Sequence, residues 1–243
     1  MSVQKLAKFM QKPRSVTIGH KSKAPVIISD SKGEYLKSQI IHPEDRNIIW
    51  RCKRGTTIDQ SLRWLRSNID SKIQQLGNIH FYVWLGTCNI TTKTSDFTIA
   101  LTSQSSDASN SVFNKFKEYI DIIKPYPNCK LTFVEIPHYS IVRWNKRIKP
   151  AKAESLTEQD VQLENQIEGL NKLIHDWNTA QEVHSPLLNI HLIARKQIRR
   201  GKNKPSKKYI NYNLLVDGIH PKPILAKTWL AELSQQIRKD CWH

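Results

Sequence analysis

The sequence predicts an α/β domain: a three-layer α/β/α sandwich around a central, mostly parallel sheet of about five strands. Three observations carry that expectation. Short continuous apolar runs, such as Val26-Ile27-Ile28 and residues 79–85, read as strands buried on both faces. Between such runs lie longer segments with apolar residues at helical spacing, clearest in Ile58, Leu62, Leu65, Ile69, Ile73 and Leu76. Strand and helix alternate along the chain, which calls for crossover connections and helices on both sides of a sheet.

A length of 243 residues suits one such domain with tails, or at most two small domains. Residues 1–24 hold Lys5, Lys8, Lys12, Arg14, Lys21 and Lys23 with no acidic residue, and read as a mobile basic arm with a short helix over 2–11. The domain then spans 25–243. Its first strand stops at Ser29-Asp30-Ser31, and Gly33 lets the chain turn before Tyr35 and Leu36 begin a helical spacing. The second strand, 47–51, leads into a turn through Gly55. Thr57 or Asp59 caps the next helix and Gly77-Asn78 closes it. The third strand, 79–85, is followed at once by Gly86-Thr87-Cys88-Asn89. Residues 91–111 form a polar insert in which 97–101 could make a hairpin arm or an added strand.

A helix over 112–123 ends at Pro125 and Pro127, and 130–136 is the fourth strand. A basic, aromatic loop with Tyr139, Arg143, Trp144, Lys146, Arg147 and Lys149 comes next. The helix 157–179 carries one apolar seam (Leu163, Ile167, Leu170, Ile174, Trp177), too short for a coiled coil and suited to packing on the sheet. Residues 187–193 are the candidate fifth strand. The stretch 195–208 has eight basic residues and no acid, with Gly201 and Pro205 opposing regular structure, and reads as a basic loop. A last helix runs from about 223 to 239, with Leu225, Trp229, Leu233 and Ile237 on one face.

Lys plus Arg number 38 against 21 Asp plus Glu, a formal charge of +17. Such an excess favours polyanionic partners: nucleic acid, an anionic membrane surface or an acidic glycan. The charge clusters in 1–24, 143–152 and 195–208. The candidate contacts are Arg143, Lys146 and Arg147, then Arg195, Lys196, Arg199, Arg200, Lys202, Lys204, Lys207 and Lys208. No apolar run is long enough to span a bilayer and the first residues lack a signal-peptide core, so a cytosolic or nuclear setting is expected. Cys52, Cys88, Cys129 and Cys241 show no paired spacing and read as free thiols. His42, His80, His138, His175, His184 and His191 have no metal-ligand spacing.

Strand-end loops of a parallel sheet share one edge, where open α/β folds keep their ligands. Ser29-Asp30-Ser31, Gly55, Gly86–Asn89 and Asp217-Gly218-Ile219-His220 can therefore converge. By themselves the serines and aspartate at 29–31 suit a helix cap as well as a nucleophile turn. A serine nucleophile needs a base within hydrogen-bond reach and a carboxylate to orient that base. Asp217 and His220, three residues apart with Pro221 fixing the exit, offer both.

In this order the blocks resemble those of the SGNH (GDSL-type) hydrolases. That family carries Gly-Asp-Ser after the first strand, a Gly after the second, Gly-x-Asn-Asp after the third and Asp-x-x-His-Pro near the C-terminus. The resemblance covers about residues 25–238 and implies a serine esterase that needs no metal or organic cofactor. By that resemblance Ser31 is the nucleophile, His220 the base and Asp217 its partner, with the N–H groups of Ser31 and Gly55 in the oxyanion hole. Two positions depart. Ser29 replaces the first Gly, and aligning on Gly86 puts Cys88 where the family has its oxyanion Asn, with Asn89 one place later. A thiol donates weakly and an amide well. Either Asn89 substitutes, or the hole is weakened, or the scaffold only binds. The family acts on lipid, glycan and small acyl esters, so an ester-bearing substrate of one of these kinds is implied. Similar domains occur in proteins encoded by some animal non-LTR retrotransposons, a setting that a basic chain suits.

Overall fold

Buried aliphatic runs build the sheet, and the polar residues that end them build its functional edge. The structure, a computed structural model, describes residues 1–14, 19–197 and 206–242. The chain opens with α1 (Val3–Met10), capped by Ser2. Within the stretch read as a mobile arm, this helix is docked: Leu6 is fully buried and α1 packs on the last helix of the chain. Burying one leucine contributes about 1.5–3 kcal/mol, and the contact of Phe9 with His191 (centroids 5.1 Å apart) and the bond from Asn211 Nδ2 to the Met1 carbonyl (2.8 Å) add to the hold.

Next come β1 (Ala24–Ser29), buried along its whole length, and α2 (Ser31–Lys37). β2 (Ile49–Cys52) leads to α3 (Ile58–Leu76). Of the two expected caps, Thr57 is the one used: it forms a reciprocal capping box with Gln60. β3 (Ile79–Trp84) is wholly buried and runs into α4 (Thr87–Ile90), a single turn. The polar insert folds as the hairpin of β4 (Thr91–Lys93) and β5 (Ile99–Leu101), and its last residues already belong to α5 (Ala108–Ile123). After β6 (Cys129–Phe133), the segment expected as a basic loop is a helix, α6 (Ile141–Ile148), capped by Ser140. α7 (Pro150–Ala153) and the long α8 (Thr157–Ala180) follow. The stretch 195–208, expected as a basic loop, is instead in part a ribbon: residues 195–197 and 206–208 pair within β7 (Ile193–Gln197) and β8 (Ser206–Ile210), and 198–205 lie outside the described residues. α9 (Pro223–Cys241) completes the chain.

The central sheet has four strands in the order β2-β1-β3-β6, all parallel. α3, α5 and α8 pack in succession over one face, and α9 with α1 and α2 covers the other. Large side chains of the central strands pack into both layers. Trp84 meets Trp229 of α9, whereas Phe133 of β6 meets Phe113, Phe116 and Tyr119 of α5 and Trp177 of α8.

The expected fifth strand does not join this sheet; residues 188–191 form a 3₁₀ turn instead. Side-chain amides occupy the place a strand would take. Asn178 both accepts from the Phe133 N–H (3.1 Å) and donates to its carbonyl (2.7 Å). Asn171 does the same at Ile136 (2.7 and 2.8 Å), and Asn189 accepts from the His138 N–H (2.9 Å). These amides satisfy the β6 edge and its extension, so no strand is needed to blunt it.

Candidate active site

β1 and β3 are neighbours whose following helices lie on opposite faces of the sheet, so a crevice opens beyond their carboxyl ends. Ser31 is the first residue of α2, directly after β1. Asp30, not Ser29, is the cap of α2: its carboxylate accepts the Lys32 N–H at 2.9 Å. That leaves the Ser31 hydroxyl free to point elsewhere. Its Oγ lies 2.8 Å from Nε2 of His220, and Nδ1 of His220 lies 2.6 Å from Oδ2 of Asp217.

The loop that brings Asp217 and His220 together is closed on itself. The Val216 N–H donates to the His220 carbonyl (2.7 Å), and the Lys222 N–H to that of Leu214 (2.9 Å). Oδ1 of Asp217 accepts the N–H groups of Ile219 (3.0 Å) and His220 (2.8 Å). Each carboxylate oxygen thus has its own task, one holding the loop and the other the imidazole. Gly218 has φ of 95°, and a Cβ there would come within 2.8 Å of Arg143 Cβ and 2.9 Å of the Trp144 nitrogen. Only glycine lets the loop seat against the start of α6. Burial raises the Asp217 carboxyl pKa, but the hydrogen bonds from His220 and the Ile219 N–H outweigh it, and the group sits below its ordinary value. It is therefore ionised at neutral pH.

Two rings frame the imidazole. Tyr35, four residues from Ser31 on the same face of α2, stacks on His220 with centroids 4.8 Å apart and planes 17° apart. Trp144 tilts against it at 6.1 Å, while its indole N–H donates to the Phe97 carbonyl. Beneath the serine lies a buried ion pair. Lys32, 3% exposed, donates from Nζ to Asp30 (2.6 Å) and to Oγ1 of Thr87 (2.5 Å). It ties the loop after β1 to the loop after β3, the two walls of the crevice.

Three donors at these strand ends have no partner among the described residues: the N–H of Ser31, the N–H of Gly55 and Nδ2 of Asn89. Gly55 turns with φ of 71° after β2. Asn89 directs Oδ1 to the Ile58 N–H at the start of α3 (3.0 Å), which leaves its N–H₂ as the unspent end. Cys88 is half-buried, and burial together with the nearby Asp30 charge pushes its thiol up to about 11. It stays protonated at neutral pH, so it is neither a thiolate nucleophile nor a strong donor. A cavity of about 510 Å³ opens beside Cys88 and Asn89, walled on the other side by Thr92, Ser103, Ser105 and Lys115. Among the described residues, no group of His, Cys, Asp and Glu could hold a metal ion.

Among solved structures, the chain is similar to a GDSL-like lipase from Bacteroides thetaiotaomicron VPI-5482, with a TM-score of 0.57, 19% identity and 98% of each chain covered. A lipase/acylhydrolase from Enterococcus faecalis matches with a TM-score of 0.55 and 13% identity, over 90% of this chain and 97% of that one. The chain has the SGNH (GDSL-type) hydrolase fold. At the level of sequence, no family model matches it and no curated protein matches it.

On the SGNH fold, the basic residues singled out from the sequence divide into two sets. Two of those on α6 have partners near the histidine loop. Arg147 lies 3.4 Å from Oδ2 of Asp217, and Arg143 donates to Asn213 (2.8 Å) beside the Tyr212 ring. Lys146 is exposed. Arg195, Lys196, Lys207 and Lys208 lie on the β7–β8 ribbon. Arg199, Arg200, Lys202 and Lys204 fall outside the described residues. Sequence reading missed the Lys32–Asp30–Thr87 tie and the Tyr35 stack. The signal for the second was present, since Ser31 and Tyr35 stand at i and i+4 of one helix.

Proposed function

We propose that the protein is a serine ester hydrolase that works through an acyl-enzyme. The observation that carries this reading is the unbroken relay from Ser31 Oγ through His220 to Asp217, with links of 2.8 and 2.6 Å at the strand-end crevice. With its Nδ1–H donated to Asp217, the imidazole keeps Nε2 as an acceptor for the serine proton. Ser31 Oγ attacks the ester carbonyl as its proton passes to Nε2. His220 then gives that proton to the departing alkoxide, leaving an acyl group on Ser31. Water, deprotonated by the same nitrogen, cleaves the acyl-enzyme and restores the serine.

The negative oxygen that forms in both halves needs donors fixed in advance. The Ser31 N–H, Gly55 N–H and Asn89 N–H₂ fill that role. Asn89 thus takes the part that its family counterpart plays one position earlier in the chain, and Cys88 is a packed thiol beside it. The cavity next to Asn89 receives the rest of the ester. A fluorophosphonate probe tests the assignment. It is expected to label wild type and Cys88→Ala but not Ser31→Ala, and equal labelling of Ser31→Ala would refute it.

A further inference from the structure

The β7–β8 ribbon has a charge arrangement that its own folding does not need. Its register sets Arg195 opposite Lys208 and Lys196 opposite Lys207. Like charges directly opposite on an antiparallel pair are destabilising. Successive residues of a strand point to opposite faces. One face therefore carries the Arg195/Lys208 pair with Ile193 and Ile210, and the other carries Lys196/Lys207 with Ala194 and Tyr209. All four cations are exposed, and none forms an ion pair with an acidic residue among those described. Beside the ribbon runs a groove of about 630 Å³ shared with the start of α1, where Lys5 adds a further cation and no acidic residue takes part.

We propose that this ribbon is a binding element for duplex nucleic acid and seats in the major groove of B-form DNA. An anionic bilayer would meet one face of the ribbon and leave the other pair unneutralised. A groove with phosphates along both walls meets both. The major groove of B-DNA is about 12 Å wide and admits a two-stranded ribbon. The deep, narrow major groove of A-form RNA does not. Binding here is a property of the face built by β7, β8 and α1, independent of the Ser31 relay.

Each phosphate neutralised contributes about 0.9 to the slope of log K against log salt, so the four ribbon cations supply a slope of about −3.6. The experiment uses the full chain and a fluorescent 20-base-pair duplex DNA, followed by anisotropy from 50 to 200 mM KCl. The quadruple variant Arg195→Gln, Lys196→Gln, Lys207→Gln, Lys208→Gln is expected to bind about 10³-fold more weakly at 100 mM and to flatten the slope by 3 to 4. A matched quadruple at the exposed Lys117, Lys124, Lys130 and Lys239 is expected to change affinity less than about threefold. The ribbon variant should melt at or above the wild-type temperature, because two repulsive pairs are gone; a lower melting temperature would mean that it had lost structure. In that case the single pair Lys196→Gln, Lys207→Gln is read instead, with half the change in slope.

Equal weakening by both quadruples would reduce the effect to diffuse charge and overturn the proposal. So would absence of duplex binding at 50 mM, or equal affinity for an RNA duplex of the same sequence. Tighter, ribbon-dependent binding to vesicles of phosphatidylserine and phosphatidylcholine would overturn it in favour of a membrane.

Discussion

Asp217→Asn separates two tasks that one carboxylate performs. In the folded protein Oδ1 closes the loop by accepting the N–H groups of Ile219 and His220, and Oδ2 holds Nδ1 of His220 at 2.6 Å. Asparagine is nearly isosteric and can keep its oxygen on the two backbone donors. Its N–H₂ then faces Nδ1 and can only donate, so the ring proton moves to Nε2. An Nε2–H cannot accept the proton of Ser31. The same substitution in a serine triad elsewhere lowers kcat by about 10⁴, or about 5 kcal/mol of barrier. We expect that loss in hydrolysis of p-nitrophenyl acetate and in the rate of fluorophosphonate labelling, with melting within a few degrees of wild type. An Asn variant within tenfold of wild type would mean that Asp217 only closes a turn, and the relay would not be the engine of the site.

Two further outcomes concern stability. Lys32→Met leaves the Asp30 carboxylate, 1% exposed, without its ammonium partner. The expected loss is about 3–5 kcal/mol by urea denaturation, partly recovered when Asp30→Asn is added; a loss under 1 kcal/mol would deny the pair its role as a tie across the crevice. His80 is buried on β3, bonded to Thr132 at 2.8 Å, and burial pushes its pKa from 6.5 down to about 3. The unfolded chain takes up this proton first as pH falls, so the stability that the neutral ring permits is fully present above 6.5 and is lost progressively toward 3. One proton corresponds to about 1.4 kcal/mol per pH unit at most, so His80→Leu should reduce the stability difference between pH 7 and pH 5 by about 2 kcal/mol. An unchanged difference would place the acid sensitivity elsewhere.

The sheet was legible because its signals are local: Val26–Ile28 and 79–85 are buried runs with no polar alternation. Ser31, Asp217 and His220 stood out only through the order of four blocks along the chain and the resemblance they carry. What escaped depends on contacts remote in sequence. The helix of the first stretch was expected, since Val3, Leu6, Ala7 and Met10 recur at helical spacing, but its docking on α9 through Leu6 was not, because nothing local shows which surface receives that face. α6 buries only Ile141 and Asn145, so its composition reads as a loop. The run 187–193 is apolar and strand-like in length, but its place on the sheet edge was already filled by Asn171 and Asn178. Short apolar runs cannot be assigned by period alone. The Lys32–Thr87 bond joins residues 55 positions apart, and nothing in either neighbourhood announces it.

α6 links parts of the molecule that the sequence keeps apart. Its first turn receives Gly218 of the histidine loop, while Asn145 clasps both backbone groups of Ile99 in the β4–β5 hairpin (2.8 and 2.7 Å). Trp144 touches His220 with its ring and the hairpin with its N–H. The hairpin and the histidine loop are therefore two ends of one lever. Exchanging residues 91–101 for a foreign loop would release α6 on one side and let the imidazole drift on the other. A chimera meant to alter which molecules fit the cavity has to carry the hairpin and α6 across as one cassette.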